Sequence, residues 1–151
     1  MSDMPKVLFL CSHNSCRSQM AEALLREHGG TEVEPMSAGL DPADIHPLTI
    51  EVLREKGIDT TPLRAKAARD FLGKESFRHV IVVCAKAEER CPSTWPFVES
   101  RHVWPFEDPA AFEGNREEKI AKFREVRDKI EERVLTFLGG LRTNRKAGGA
   151  T

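Results

Sequence analysis

The chain lacks any long apolar run. Its one apolar stretch near the beginning, residues 7–10, is much shorter than a membrane-spanning helix or the core of a signal peptide. An excess of either charge is also missing, because 23 basic residues stand against 24 acidic ones and the net charge is −1. We therefore expect neither a nucleic acid nor a membrane as a partner. The 151 residues are enough for one domain with a core, which we expect to be cytoplasmic.

The spacings that bind structural metals are missing as well. The sequence has no Cys-x2-Cys pair and no His-x3-His pair, and its five histidines are scattered. We therefore predict no metal site and no bound cofactor. Four cysteines are present, namely Cys11, Cys16, Cys84 and Cys91. They could form two disulfides in a secreted protein, but a cytoplasmic chain of this size does not need such links, so reactive roles are favoured.

Predicted strands and helices alternate along the chain. Apolar segments predict strands at residues 7–10, 33–37, 80–83 and 101–104. Apolar residues at helical spacing predict helices at 18–28, 46–56, 65–72 and 117–138, the last ended by Gly139 and Gly140. Residues 85–99 look like a loop or a broken helix. The alternation predicts a single-domain α/β fold, a doubly wound parallel four-stranded sheet with flanking helices over residues 1–141. Residues 142–151 are expected to form a disordered basic tail.

An eight-residue segment, from Cys11 to Ser18, joins the first predicted strand to the first predicted helix. Backbone N–H groups in a tight loop at a helix N-terminus converge on one point, where the helix dipole adds positive potential. Arg17 can donate two hydrogen bonds to two oxygens of an anion, and the same field stabilises a thiolate at Cys11. We therefore predict a nucleophilic Cys11 that faces a tetrahedral oxyanion. The predicted oxyanion-binding residues are Ser12, His13, Asn14, Ser15, Cys16, Arg17 and Ser18.

Three chemically reactive residues each follow a predicted strand. Cys11 follows the first strand, Cys84 follows the third, and Asp108 follows the fourth. The carboxyl ends of parallel strands meet at one edge of the sheet, where α/β proteins bind their ligands. We therefore predict that these residues share one site.

These motifs resemble the low-molecular-weight phosphotyrosine phosphatase superfamily from about residue 7 to residue 138. Within it, the chain is most similar to the thioredoxin-coupled arsenate reductases. The motifs that carry this likeness are F-L-C at 9–11, N-S-C-R-S-Q-M-A-E-A at 14–23, S-A-G at 37–39, C-x6-C-P at 84–92, W-P-F-E-D-P at 104–109 and F-R-E-V-R-D at 123–128. The resemblance implies a low-molecular-weight phosphatase-like fold and an arsenate or phosphate oxyanion as substrate.

Two features favour the reductase branch over a phosphatase. A phosphatase of this type needs only the loop Cys, the Arg and the Asp, and usually carries aromatic residues, commonly tyrosines, just after the Asp-Pro pair. Here Ala110 and Ala111 follow, and the chain contains no tyrosine. A reductase also requires two more cysteines, because it must supply two electrons in each turnover. Cys84 and Cys91 are available for that task.

The resemblance implies a role for each catalytic residue. Cys11 attacks arsenic, and Asp108 protonates the leaving oxygen as a general acid. Cys84 then attacks the Cys11 sulfur and arsenite leaves, after which Cys91 attacks Cys84 and moves the disulfide to Cys84–Cys91. That transfer requires the segment between the two cysteines to rearrange, since a disulfide needs Cα atoms within about 7 Å. Thioredoxin, or a glutaredoxin or small-thiol system, would then reduce the exposed disulfide.

Other loop residues are expected to support this chemistry. Asn14 is predicted to adopt a positive φ, which Asn tolerates, and Ser18 to donate a hydrogen bond to the Cys11 thiolate. Cys16 is expected to pack behind the loop, although it could also trap an oxidised Cys11 as a disulfide. His13 departs from the small residue that is usual at its position, and it either adds positive charge or narrows the entrance.

A further departure concerns potassium, which some relatives bind near the loop through Asn, Ser and an acidic side chain. Asn14 and Ser37 match that pattern, but Arg64 and Lys66 are basic where a carboxylate is expected. We therefore predict that Lys66 or Arg64 replaces the cation.

The sequence is also compatible with two other functions. One is a low-molecular-weight phosphatase that hydrolyses phosphotyrosine or another phosphoester with Cys11, Arg17 and Asp108. The other is a non-catalytic redox sensor or arsenite-binding protein that uses three cysteines, although such a protein would not need an intact Cys-x5-Arg loop.

Overall fold

The computed structural model describes residues 4–83 and 98–149 of the chain, with side chains up to residue 144. Within these residues, four strands form one sheet in the order β2-β1-β3-β4, and every neighbouring pair is parallel. The strands are β1 (Lys6–Cys11), β2 (Glu34–Gly39), β3 (His79–Val82) and β4 (Ser100–Val103). The predicted α/β class and the parallel four-stranded sheet are confirmed.

In the described ranges of the chain, three helices accompany the sheet, and two short 3-10 turns occur at Ala68–Asp70 and Pro109–Ala111. The helices are α1 (Arg17–Gly29), α2 (Pro47–Arg54) and α3 (Arg116–Gly149). Helix α3 packs against both α1 and α2. Its predicted apolar stripe is buried at Ile120, Phe123, Val126, Ile130, Val134 and Leu138, and its seventh predicted member, Phe137, is partly buried against the core. No helix in the described part of the chain is long and apolar enough to span a bilayer.

Strand β1 is the centre of the fold. It pairs with β2 on one side and with β3 on the other, and residues 7–10 are completely buried. A parallel strand covered on both faces needs such a continuous apolar sequence. The chain leaves this strand at Cys11, so the predicted loop begins at the carboxyl edge of the sheet.

The prediction of a helix at residues 65–72 is wrong. Only the single 3-10 turn Ala68–Asp70 forms there. Ala67 instead pairs with Gly39 as an isolated parallel bridge, and the Gly39 N–H donates to the carbonyl of Lys66 at 2.8 Å. The extended backbone that this pairing requires, with ψ of 137° at Ala67, is incompatible with a helix.

The predicted end of the last helix at Gly139 and Gly140 is also wrong, since α3 continues to Gly149. Residues 142–149 are therefore helical rather than a disordered tail. Glycine costs about 1 kcal/mol in a helix interior relative to alanine, a cost that tertiary contacts can offset. Beyond the glycines, Leu141 packs against the core and Arg142 forms an ion pair with Glu32 at 2.6 Å.

Strands β3 and β4 carry a pair of histidines that contact each other. His79 Nδ1 lies 3.1 Å from His102 Nε2, and Phe137 of α3 packs on both rings. Burial lowers the pKa of both histidines. The neighbouring charges Arg78 and Arg133, together with the other ring for His79, act in the same direction, while Glu99 opposes them at His79.

We therefore expect the free energy of unfolding to decrease as the pH falls below about 6.5, because the unfolded chain then binds protons that the folded pair excludes. Urea unfolding at pH 7.5 and at pH 5.5 measures this loss. The double variant His79→Leu/His102→Leu should lose less stability over the same interval. An equally steep loss in that variant would show that other groups are responsible.

Candidate functional site

The loop between β1 and α1 turns its carbonyl groups outward. The carbonyls of Cys11, Ser12 and His13 accept hydrogen bonds of 2.8–3.1 Å from backbone N–H groups of the segment after β2, those of Leu40, Asp41 and Ala43. The carbonyl of Ser15 accepts from the His46 N–H and the Thr49 hydroxyl, both at 3.2 Å. Since the N–H of a trans peptide points away from its C=O, the amides of the loop face its concave side. This is the geometry of an anion cradle.

Asn14 has the predicted positive φ, at 53°. The Gln19 amide donates to the Asn14 carbonyl at 3.0 Å and to its side-chain oxygen at 2.9 Å. The Lys66 N–H also donates to that side-chain oxygen, at 2.8 Å. Gly39 permits this close packing, because a Cβ there would lie 2.7 Å from the Asn14 nitrogen. Asn14 is completely buried, so its strained backbone is held from several sides.

Cys11 lies at the floor of the cradle. Its Sγ is 2.8 Å from the Ser18 hydroxyl and accepts a hydrogen bond from the Asn14 N–H at 3.1 Å. Helix α1 starts at Arg17 and has no acidic residue in its first turn, so the positive end of its dipole is not neutralised there. These contacts stabilise a thiolate over a thiol. The predicted contact between Ser18 and Cys11 is confirmed.

Arg17 and Asp108 meet across the mouth of the cradle. Arg17 Nη2 is 3.7 Å from Asp108 Oδ2, and Arg17 Nη1 donates to the carbonyl of Phe106 at 3.0 Å. Asp108 Oδ1 accepts from the Ala110 N–H at 3.0 Å, which fixes the carboxylate at the start of a 3-10 turn. The structure therefore brings Arg17, which follows Cys11 in the loop, next to Asp108. Of the three residues predicted to share this edge of the sheet, Cys11 and Asp108 are described, and Cys84 lies outside the described residues.

The other side chains of the loop make structural contacts. His13 is exposed, and its ring bonds to the carbonyl of Asp41 at 2.8 Å, while the Ser15 hydroxyl donates to the carbonyl of Asp44 at 2.9 Å. Cys16 is buried, which raises the pKa of its thiol, with smaller opposing contributions from Thr49 and Ser15. Such a thiol is a poor nucleophile at neutral pH. The expectation that Cys16 packs behind the loop is met. Ser12 is buried in the loop as well.

A second layer of charge lies behind the cradle, around the buried carboxylate of Glu22. It accepts from the Ser37 hydroxyl at 2.6 Å and lies 3.4 Å from Lys66 Nζ, which also donates to the carbonyl of Arg64 at 2.7 Å. The Lys66 ammonium thus contacts Glu22 Oε1, the same oxygen that accepts the Ser37 hydroxyl. A positive charge therefore already lies beside this carboxylate. No cluster of three or more His, Cys, Asp or Glu suited to a metal occurs among the residues described.

The other two predicted catalytic residues, Cys84 and Cys91, lie outside the described residues. β3 ends at Val82, and Val83 is the last residue before the undescribed segment 84–97. The Val83 N–H donates to the carbonyl of Leu10 at 2.9 Å, so the chain at this point lies beside the end of β1. Cys84 therefore follows directly after a residue that neighbours the cradle.

Several groups that hold the site from a distance were not predicted from the sequence. They are the Gln19 amide, the Phe106 carbonyl and the segment 40–46. Their contacts join residues between 5 and 89 positions apart, for which local periodicity carries no signal. One signal in the sequence was the presence of the polar residues Gln19 and Glu22 beside the apolar residues Met20, Ala21 and Ala23 of α1.

The geometry agrees with comparisons to known proteins. The family model for low molecular weight phosphotyrosine protein phosphatases matches residues 6–147. An arsenate reductase from Bacillus licheniformis is 40% identical over 134 residues, which is 87% of this chain and 93% of that protein. A solved arsenate reductase in a phosphate-binding state is 30% identical with a TM-score of 0.73, covering 91% of this chain and 98% of that one.

A second solved structure is the thioredoxin-dependent arsenate reductase Cg_ArsC1' of Corynebacterium glutamicum. It is 31% identical to this chain with a TM-score of 0.73. The match covers 95% of this chain and 64% of that one.

Proposed function

Given that the chain belongs to the low molecular weight phosphotyrosine protein phosphatase family, we propose that it is an arsenate reductase that converts arsenate to arsenite with thiol electrons. The observation that carries this proposal is the Cys11 sulfur, bonded to Ser18 and Asn14 in a loop whose amides face inward, with Arg17 and Asp108 at its mouth. We propose arsenate and not a phosphoester as the substrate because these relatives are arsenate reductases.

The first step joins sulfur to arsenic. Arsenate has the charge and shape of phosphate, so the loop amides and Arg17 hold its oxygens. The Cys11 thiolate attacks arsenic, and one oxygen leaves as water after taking a proton from Asp108. General acid catalysis of this kind contributes about 10²–10⁴-fold to the rate.

The second step transfers two electrons. The Cys84 thiolate attacks the Cys11 sulfur and breaks the sulfur–arsenic bond, whose electron pair stays on arsenic, so that arsenite leaves and a Cys11–Cys84 disulfide forms. Cys91 then attacks the Cys84 sulfur, releasing the Cys11 thiolate and leaving a Cys84–Cys91 disulfide. A thioredoxin is the proposed reductant, by analogy with the C. glutamicum relative. A reducing compartment such as the cytoplasm suits this chemistry.

The two relay cysteines provide the test. Wild type, Cys84→Ser and Cys91→Ser are incubated with arsenate, thioredoxin, thioredoxin reductase and NADPH, and arsenite is measured against enzyme concentration. Wild type should turn over repeatedly. Cys91→Ser should release one arsenite per molecule, since Cys84 still resolves the adduct, and Cys84→Ser should release none. Replacing thioredoxin by glutaredoxin with glutathione identifies the electron donor.

Two results would contradict the proposal. Continued turnover by Cys91→Ser would show that Cys91 does not have the proposed role in the relay. Fast hydrolysis of phosphotyrosine by wild type and by both serine variants, with no arsenite from any of them, would instead support the phosphatase alternative, which needs only Cys11, Arg17 and Asp108.

We also propose that the Lys66 ammonium takes the place of a potassium ion. When KCl replaces NaCl at constant ionic strength, kcat/KM should change less than about twofold, because exchanging one monovalent ion for another leaves general screening unaltered. Lys66→Asp should make kcat/KM respond to potassium, whereas Lys74→Asp, the same charge change at an exposed site, should not. A large rise for wild type in KCl would refute this role.

A further inference from the structure

Lys122, in the second turn of α3, contacts the chain on both sides of Asp108. Its Nζ lies 3.3 Å from the Glu107 carboxylate, the residue just before Asp108. The same Nζ lies 5.2 Å from the centre of the Phe112 ring, which follows the 3-10 turn after Asp108. That distance is within the range of a cation–π contact. One ammonium group therefore joins the two ends of the segment that carries the proposed acid, residues 107–112.

The ammonium is itself held in place. Glu125, three residues further along α3, accepts a hydrogen bond from Lys122 Nζ at 2.9 Å. Only 18% of the Lys122 side chain is exposed, against 63% for Lys129 on the same helix. Its stem is thus covered and its charge is directed at residues 107–112, unlike a lysine on a solvated helix face.

Residues 107–112 need such a support because they extend beyond the sheet. The Trp104 N–H donates to the carbonyl of Val82 at 2.7 Å, which ties the chain to β3 just after β4 ends. Arg17 then holds the Phe106 carbonyl. Beyond that point the side chains of Glu107 and Asp108 are 54% and 40% exposed. The described contacts that tie these residues to α3 include the Lys122 ammonium and the packing of α3 on the Pro109–Ala111 turn.

We propose that Lys122 is a positioning residue that holds Asp108 at the distance from the cradle required for proton transfer. This inference rests on the proposed function, since it assigns Asp108 the role of acid. In this role Lys122 affects the reaction through the position of Asp108 and does not act on the bound oxyanion.

A double-mutant cycle, measured over a series of arsenate concentrations up to saturation, tests the inference. Fully reduced enzyme is mixed with arsenate without any reductant, quenched at short times, and assayed for arsenite, which gives the single-turnover rate constant. The proteins compared are wild type, Lys122→Met, Lys122→Arg, Asp108→Asn, Asp108→Asn/Lys122→Met and Lys129→Met. Methionine keeps the stem of Lys122 without its charge, and Lys129→Met makes the same change at an exposed position paired with Glu125 at 3.9 Å.

We expect Lys122→Met to lower the rate constant about three- to tenfold with little change in the half-saturating arsenate concentration, since misplacing a catalytic group slows the chemical step. Lys122→Arg should stay within about twofold of wild type, and Lys129→Met should equal it. In the Asp108→Asn background, Lys122→Met should have no further effect.

Two outcomes would overturn the inference. One is an unchanged rate constant in Lys122→Met. The other is an equal loss from Lys122→Met in both backgrounds, which would show an effect independent of Asp108. Absence of arsenite from wild type is a separate result, because it would refute the proposed function itself. Urea unfolding of each variant checks that the fold is intact.

Discussion

Cys11→Ser should abolish arsenate reduction, with a loss of at least about 10⁴-fold, while phosphate binding survives. The sulfur is the only atom of the cradle that must form a bond, and a serine hydroxyl is not ionised at neutral pH. Removing the nucleophile of a covalent mechanism causes losses of this size or larger. In the proposed mechanism the oxyanion is held by backbone amides and Arg17, and of these groups the Asn14 N–H is the one that contacts the substituted side chain. Arsenite release and the calorimetric affinity for phosphate measure the two properties separately.

The two measurements also separate chemistry from structure. Serine keeps the size of Cys11 approximately and can still accept the Asn14 N–H that now bonds to the sulfur at 3.1 Å. Loss of phosphate binding together with activity would mean that the Cys11 side chain shapes the loop. Arsenite formation at an unchanged rate would mean that another group is the nucleophile, and the proposed mechanism would have to be abandoned.

Asp108→Asn should lower the single-turnover rate constant for arsenite formation by about 10²–10⁴-fold, the usual contribution of a general acid. Asparagine retains an oxygen that can accept the Ala110 N–H, so the 3-10 turn after it should be preserved. It lacks an acidic proton to give to the leaving oxygen. Arsenate affinity should decrease little, or rise slightly, since the variant removes a negative charge 3.7 Å from Arg17.

Asp70→Asn is the matched control for this variant. Asp70 is exposed in the other 3-10 turn, and its substitution removes the same charge from a turn that contains none of the proposed site residues. Its rate constant should equal that of wild type. A loss of less than about threefold in Asp108→Asn would show that the carboxyl group is not the proton donor, and Lys122 would then have no acid to position.

The sequence alone determined the features that depend on short-range pattern. The apolar residues 7–10 specified a buried strand, and the loop that follows it was correctly predicted to hold Asn14 at a positive φ. The apolar stripe of α3 likewise specified the face that is buried. In each case neighbouring residues impose the outcome, through periodicity, backbone preference or the start of a helix.

The tertiary structure decided what depends on distant partners. Pairing with Gly39 holds Ala67 extended where local propensity favoured a helix, and the contact between Arg142 and Glu32 accompanies a helix that continues past two glycines. Arg17 donates a hydrogen bond to the carbonyl of Phe106, which is 89 residues away in the sequence, and Lys66 forms an ion pair with Glu22 behind the cradle. Such contacts arise only when the folded chain brings separate segments together, so no local pattern encodes them.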